Sequence, residues 1–442
     1  MQRKYILIFF LVPLFIFLVW QLRDEALRPE VKADLEYTPA YVDPKKNGYF
    51  ALIGLAADQK MDPWEAGWKV KQDYDEHLRQ GKTEFEFVTT RLGWLNILDV
   101  PDVNILACGY NDKIGCLAIV KKKSAYFSEV VKNNALLLHR YQQLLKYPGF
   151  QDEVGSLYGE HALSVHNVYT AMVVELWLNN RKQTALEYLA KNIQFWRKVV
   201  NGDVNLIQKM VSVSILYEDL WLFSEMLTDD KHAVIKSSAV KEILRPYDVN
   251  DYDFYPQFRR EFQFVGNGIK IELLQKSLSQ EENRWFPEEY FVECCLFKKN
   301  ATLNSLHEII LSKIKLSQVA LENFPSALQV YRNNRTEYNS KWLPDMLYNP
   351  YGKIILDIPQ PDLIKYIIRS HKPELARRLI QLKLEILTSG MKTAEIQGYL
   401  NTIQKNLYNP YTLKLAQYNK ADGSLFFDIP FEENGREAVM LN

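Results

Sequence analysis

Residues 183–200 read QTALEYLAKNIQFWRKVV, and this stretch decides the fold class. Leu186, Leu189, Ile193, Trp196 and Val200 recur at three- and four-residue steps, which puts them along one side of a helix. Asn201-Gly202 supplies an end to it. An apolar stripe on one helix must be buried against another, so the flanking sequence is expected to carry matching stripes.

It does so in both directions. Upstream, Phe127, Val130, Val131, Ala135, Leu136, Leu138 and Tyr141 predict one long amphipathic helix over 124–145, closed by Pro148-Gly149. A second is predicted from Tyr158 to Trp177, broken by Asn179-Asn180. Downstream, Asp203 is placed to cap a fourth helix running through Tyr217 and Trp221 to Leu227. Short turns between successive helices predict antiparallel hairpins, and the lack of a fixed repeat period predicts an irregular multi-helical, all-α body.

Farther out, Asp62-Pro63 is a helix start, and the apolar run 49–57 reads equally as strand or helix. Thr302 is expected to cap a helix to about Leu321 that Phe324-Pro325 stops. Residues 331–359 read as loop with a short regular piece near Ile354. Helices are expected over 361–370 and over 373–389, the latter ended by Gly390. Near the end, 413–418 and 425–429 flank Asp422-Gly423, which predicts a small C-terminal β-hairpin, 409–430, lying on the helical body.

The chain has 442 residues, 47% of them hydrophobic, enough for a substantial core. Lys plus Arg and Asp plus Glu stand at 54 each, a balance that gives no support to nucleic-acid binding. Residues 5–20 carry no charge, and Leu22 extends the run to about 27 Å of helix, enough for one transmembrane span. Arg3 and Lys4 precede it, so the N-terminus is expected in the cytoplasm and the bulk on the far side. A cleaved secretory signal is the competing reading. Leu18, Val19, Trp20, Gln21 and Leu22 are not the small residues that cleavage requires, which favours an uncleaved anchor. The expected division is an anchor over 1–22, a tether over 23–48 containing Pro29, Pro39 and Pro44, and a mainly helical part over 49–442, built as one extended domain or two intimately packed ones.

The four cysteines are Cys108, Cys116, Cys294 and Cys295. Cys108 and Cys116 flank a segment with two glycines and an Asn-Asp pair, so a turn can join them in a disulfide outside the cytoplasm. The alternative is two buried thiols in a reducing compartment. Cys294 and Cys295 are adjacent and read as small apolar residues, since a bridge between neighbours is strained. Neither pair has zinc-knuckle spacing, and no metal or cofactor is called for.

Catalytic motifs are scarce. His161 and His166 stand five apart, which turns the second ring about 140° away and excludes a zinc-protease helix. One buried, hydrogen-bonded histidine and one surface histidine is the better account. Glu218 and Asp219 are adjacent and expected on different sides of their helix, where one can meet Arg245, Arg259 or Arg260 in a structural ion pair. His161, Arg245 and Arg259 are the candidate buried polar cluster. Acid/base chemistry by Glu218, Asp219 or Glu261 requires two of these carboxyls on one cleft. No phosphate-binding loop and no Gly-x-Ser-x-Gly elbow is present.

Several short motifs in order, Leu136-Leu137-Leu138-His139-Arg140-Tyr141, Asn349-Pro350-Tyr351-Gly352 and Asn409-Pro410-Tyr411-Thr412, with the anchor, the cysteine pair and the hairpin, resemble an uncharacterised family of Gram-negative bacterial proteins. The resemblance implies a single inner-membrane anchor, a helical periplasmic part and no assigned reaction. Leu413 departs from it, because some sequences of that family carry glycine just after this last motif. The leading expectation is an envelope interaction or assembly protein with an envelope protein partner, binding peptide or lipid in a groove between helices. The alternatives are a periplasmic carboxylate-dependent hydrolase or transferase, and a degenerate helical-repeat binding module.

Overall fold

A computed structural model describes residues 23–82, 87, 115–154, 162–269, 297–340, 348–357, 362–431 and 435–441. In chain order the helices are α1 (Pro29–Leu35), α2 (Gly48–Ile53), α3 (Pro63–Arg79), α4 (Cys116–Lys122), α5 (Ser124–Asn133), α6 (Ala135–Leu144), α7 (Ala162–Leu178), α8 (Lys182–Val200) and α9 (Leu206–Asp229). Three short helices follow between Lys231 and Tyr252. Then come α10 (Tyr255–Gly268), α11 (Lys299–Ser317), α12 (Phe324–Ser340), α13 (Pro350–Asp357), α14 (Leu363–Ser370), α15 (Lys372–Ser389) and α16 (Thr393–Leu400). Strands β1 (Gln417–Asn419), β2 (Ser424–Asp428) and β3 (Arg436–Met440) form one antiparallel sheet in that order. The chain is thus mainly helical with a small C-terminal sheet, as the periodicity predicts.

The described chain divides into two compact units that alternate along the sequence. The smaller comprises the residues up to Pro39, Phe258–Ser317 and Ser326–Ile364; the larger comprises Ala40–Gln257, Gln318–Pro325 and Lys365–Asn442. Residues of the expected helical part, 49–442, contribute to both units, and residues 23–39 of the expected tether fall in the smaller. The predicted transmembrane run 5–22 lies outside the described residues, and none of the described helices is long and apolar enough to cross a membrane.

In the larger unit, α7, α8 and α9 pack on one another, α15 packs on α9, and the sheet packs on α15. Trp177, Trp196, Tyr141 and Tyr169 are fully buried among them, each contributing about 2–3 kcal/mol by removal from water. The expected single helix over 124–145 is two, α5 and α6. The Asn134 amide donates back to the Val130 carbonyl at 2.8 Å, competing with the helix ladder where the chain bends. The cap of α9 is Asn205, which accepts from the Gln208 amide at 2.8 Å; Asp203 instead forms a bridge to Gln151. The run 49–57 is helical at its start, with Asn47 capping α2. Gly67 lets α3 lie against α2, since a Cβ there would stand 1.9 Å from the Phe50 carbonyl oxygen. Gly390 ends α15 in the left-handed conformation, as predicted.

Arg140 of the Leu-Leu-Leu-His-Arg-Tyr motif is 5% exposed and donates to four backbone carbonyls, those of Leu55, Ala57, Asp58 and Met61, at 2.6–3.1 Å. Asn409 is a second knot. Its Oδ1 accepts from the Tyr411 amide at 2.9 Å and its Nδ2 donates to the Asp428 carbonyl at 2.7 Å, tying the loop to β2. Leu413 closes this loop at φ 53°, a conformation that suits glycine, and is 60% exposed. Leu413→Gly is therefore expected to stabilise the protein by about 1 kcal/mol, read as a rise in urea midpoint; a fall would mean the side chain makes a contact worth more than the strain.

The third strand was not expected. Asn434-Gly435 ahead of the apolar run Ala438, Val439, Met440 is its sequence signal, and β3 pairs with β2 in the register Phe426 with Ala438.

In the smaller unit, the predicted tether is partly folded. The Asp24 carboxylate accepts from the amides of Asn300 and Ala301 at 2.8 and 3.2 Å, so it caps α11 in place of Thr302, whose hydroxyl bonds back to the Lys298 carbonyl. Asn349 accepts from the Lys298 and Gly352 amides at 2.8 and 3.1 Å, making its motif a structural junction. Phe324-Pro325 starts α12 rather than stopping α11, and much of the expected loop 331–359 is helical.

Candidate functional site

α7 is apolar on nearly all sides, and His166, Tyr169, Thr170 and Val173 fall at helical steps facing its neighbours. Asn192 comes from α8, and Glu218 and Asp219 come from α9. Contrary to the expectation that adjacent carboxyls separate, both reach the same imidazole: Glu218 Oε2 lies 3.7 Å and Asp219 Oδ1 3.8 Å from His166 Nε2. They differ in surroundings. Asp219 is buried, while Glu218 forms part of a cavity wall.

The proton positions follow from a chain of bonds that begins at a group able only to donate. The Trp196 indole N–H donates to the Tyr141 hydroxyl oxygen at 2.7 Å, so the Tyr141 O–H must donate onward to Asn192 Oδ1 at 2.9 Å. The Asn192 amide nitrogen then faces Asp219 Oδ2 at 2.7 Å and His166 Nδ1 at 3.3 Å. His166 Nδ1 is consequently an acceptor, and the single ring proton sits on Nε2, toward Thr170, Glu218 and Asp219.

Burial sets the charges. It lowers the His166 pKa to about 3, so the ring is neutral at pH 7. It raises Glu218 to about 8, and raises Asp219 with a further contribution from Glu218 beside it. At neutral pH Glu218 is therefore a carboxylic acid, able to donate a hydrogen bond from the cavity wall. His166 has its only lone pair turned to Asn192, which unsuits it as a base or metal ligand toward the carboxyls. Among the described residues, no group of three His, Cys, Asp or Glu has metal-holding geometry.

The cavity has a volume of ≈ 510 Å³, within the usual range for small-molecule sites. Leu163 of α7 and Leu206, Ile207, Met210, Val211 and Val213 of α9 make it largely apolar, and Ile207 is 51% exposed. Arg369 of α14 and Lys372 of α15 line it as well, with Ser214, Tyr217 and Tyr366. Comparison with protein-family models, with curated proteins and with solved structures gives no match. The site therefore stands on its own residues.

The remaining candidates sit elsewhere. Among the described residues neither Glu218 nor Asp219 meets an arginine. Arg245 is near Glu242 at 3.8 Å, and His161 lies outside the described residues. In the smaller unit, Arg259 pairs with Asp34 at 2.8 Å and stacks 3.9 Å from the Tyr37 ring centroid, while His307 meets the other Asp34 oxygen at 2.9 Å. Arg245 and Arg259 belong to different units and each has an acidic neighbour of its own. Glu261 belongs to the smaller unit too, its pKa raised by burial. Cys116 is buried at the start of α4, where its amide and that of Leu117 donate to the Glu225 carboxylate at 2.9 and 2.8 Å. Cys108, Cys294 and Cys295 lie outside the described residues.

His166, Asn192 and Tyr141 were missed as a group because their contacts join three helices. The spacing of His166, Tyr169, Thr170 and Val173 on one face of an otherwise apolar helix was the available signal.

Proposed function

We propose that this is a membrane-anchored envelope protein that binds an amphipathic ligand in the groove beside α9. The observation that carries the reading is the largely apolar cavity of ≈ 510 Å³ with Glu218 on its wall and Arg369 and Lys372 on its lining. Apolar walls supply affinity for a chain, and a few convergent polar groups orient its head. The anchor at residues 5–22, the periplasmic placement and the bridge between Cys108 and Cys116 belong to the same proposal, supported by the sequence.

A carboxylate-dependent hydrolase or transferase would need a second carboxyl facing the ligand. Asp219 is buried and absent from the cavity lining, and Glu261 is in the other unit, so the described groove offers one carboxyl. Its chemistry favours binding. The test is titration of the full chain in mild detergent with a fluorescent hexadecyl-chain probe, beside Val211→Trp, which fills the groove. Saturable binding lost in the variant is expected; equal binding by both proteins would place the ligand elsewhere.

A further inference from the structure

We infer that the larger unit carries a second binding site, a polar cleft beside α15, and that its ligand is an uncharged saccharide. The cleft has a volume of ≈ 500 Å³, shares no lining residue with the groove beside α9, and is lined wholly by residues of the larger unit. Its size is that of a small-molecule site, but its chemistry is unlike the groove's.

Arg377, Gln381 and Glu385 follow one another at four-residue steps along one face of α15 and line the cleft together. Tyr399 of α16 and, in the segment after it, Gln404 and Asn406 complete the polar part of the lining. Glu385 is fixed from both elements: Gln381 Nε2 donates to its Oε1 at 2.9 Å, and the Tyr399 hydroxyl donates to its Oε2. Burial and this bond push the Tyr399 pKa up, so the phenol stays a donor at neutral pH. A carboxylate accepts at about four positions, two on each oxygen. With one of these bonds on each oxygen, each can accept a second, and the two acceptors stand side by side. Hydroxyls on neighbouring carbons of a sugar ring match that pair; a peptide, with one N–H per residue, does not.

The side-chain amides of Gln404 and Asn406 both donate and accept, as a sugar hydroxyl does. Ile403 and Leu407, both buried, add apolar surface for the C–H groups of a ring. Charge does not select the ligand. Arg377 and Glu385 are the charged side chains of the lining, one of each sign. Arg377 donates through Nε and Nη2 to both oxygens of Glu374 at 2.6 and 2.9 Å, and Arg378 donates to the same carboxylate at 2.6 Å. The two arginines and the two glutamates cancel, so neither an anion nor a cation is preferred over a neutral molecule. An aliphatic chain would cover the carboxylate and the amides without replacing their bonds to water.

The experiment is saturation-transfer NMR on the full chain at pH 6, in a mild detergent without a sugar head, with glucose, N-acetylglucosamine, cellobiose and chitobiose as probes. Glucuronate, protonated glucosamine and N-acetyltrialanine amide are the anionic, cationic and peptide comparisons. At least one neutral sugar should bind saturably and more tightly than every comparison. Glu385→Gln should weaken that binding by about tenfold or more, the effect of losing a charged acceptor. Gln404→Ala with Asn406→Ala, both exposed and outside the helices, should weaken it as well and reads the site even if Glu385→Gln disturbs folding. Val211→Trp, which fills the groove beside α9, should leave it unchanged. Sugar binding that persists in both cleft variants, sugar binding lost in Val211→Trp, or no binding by any of the four sugars would overturn the inference. Tighter binding of the peptide or of a charged comparison would overturn it too and name the other class of ligand.

Discussion

Arg140→Ala is expected to destabilise the larger unit by about 4 kcal/mol. The guanidinium gathers four carbonyls from the segment between α2 and α3, and hydrogen bonds from a charged donor contribute about 1.5–3 kcal/mol each before the partners find water. Truncation leaves those carbonyls turned toward an empty space in a site that is 5% exposed. Arg140→Lys should recover less than half, because one ammonium cannot reproduce the planar fork that reaches Leu55 and Ala57 with one nitrogen and Asp58 and Met61 with the other. Urea denaturation of both variants checks this, and a loss below 1 kcal/mol for alanine would show that water replaces the arginine.

The second large effect has a sign that depends on pH. Glu218→Gln is expected to stabilise the protein at pH 7 by on the order of 3 kcal/mol. The folded state holds the Glu218 proton to about 8, against an ordinary 4.5. Stability from this group is thus complete below 4.5 and is lost as pH rises toward 8. Glutamine mimics the protonated acid and does not titrate, so the gain should vanish near pH 4.5 and grow through neutrality. His166 acts in the opposite direction. Its pKa is lowered from 6.5 to about 3, so its contribution is complete above 6.5 and is lost as pH falls. The natural protein should show both limbs in a urea-midpoint profile, and the variant a smaller alkaline limb, Asp219 with its raised pKa keeping a share of it. An unchanged alkaline limb in Glu218→Gln would mean that another group produces it.

What could be read from sequence was what local spacing controls. The stripe from Leu186 to Val200 fixed α8, Asp62-Pro63 fixed the start of α3, and Gly390 fixed the end of α15, because each depends on residues a turn or two away. Failures came where a distant residue wins. Asp24 caps α11 across the chain, Asn134 breaks a continuous apolar pattern by bonding to its own helix, and Asn205 displaces Asp203 as the cap of α9. The site was legible in part. Glu218 and Asp219 stood out as carboxyls within an apolar helix, but their meeting at His166 depends on how α7 and α9 pack, which periodicity leaves open. Leu413 was visible as a residue, but that it is held at positive φ required the backbone.

A neutral Glu218 carboxyl beside His166 is the central feature of the groove. Isotope-edited NMR of the side-chain carboxyls across pH, with Glu218→Gln to assign the resonance, measures that directly. A titration midpoint close to 8 is the predicted result. A midpoint near the ordinary glutamate value of about 4.5 would contradict it, leaving the groove with an ionised carboxylate at neutral pH.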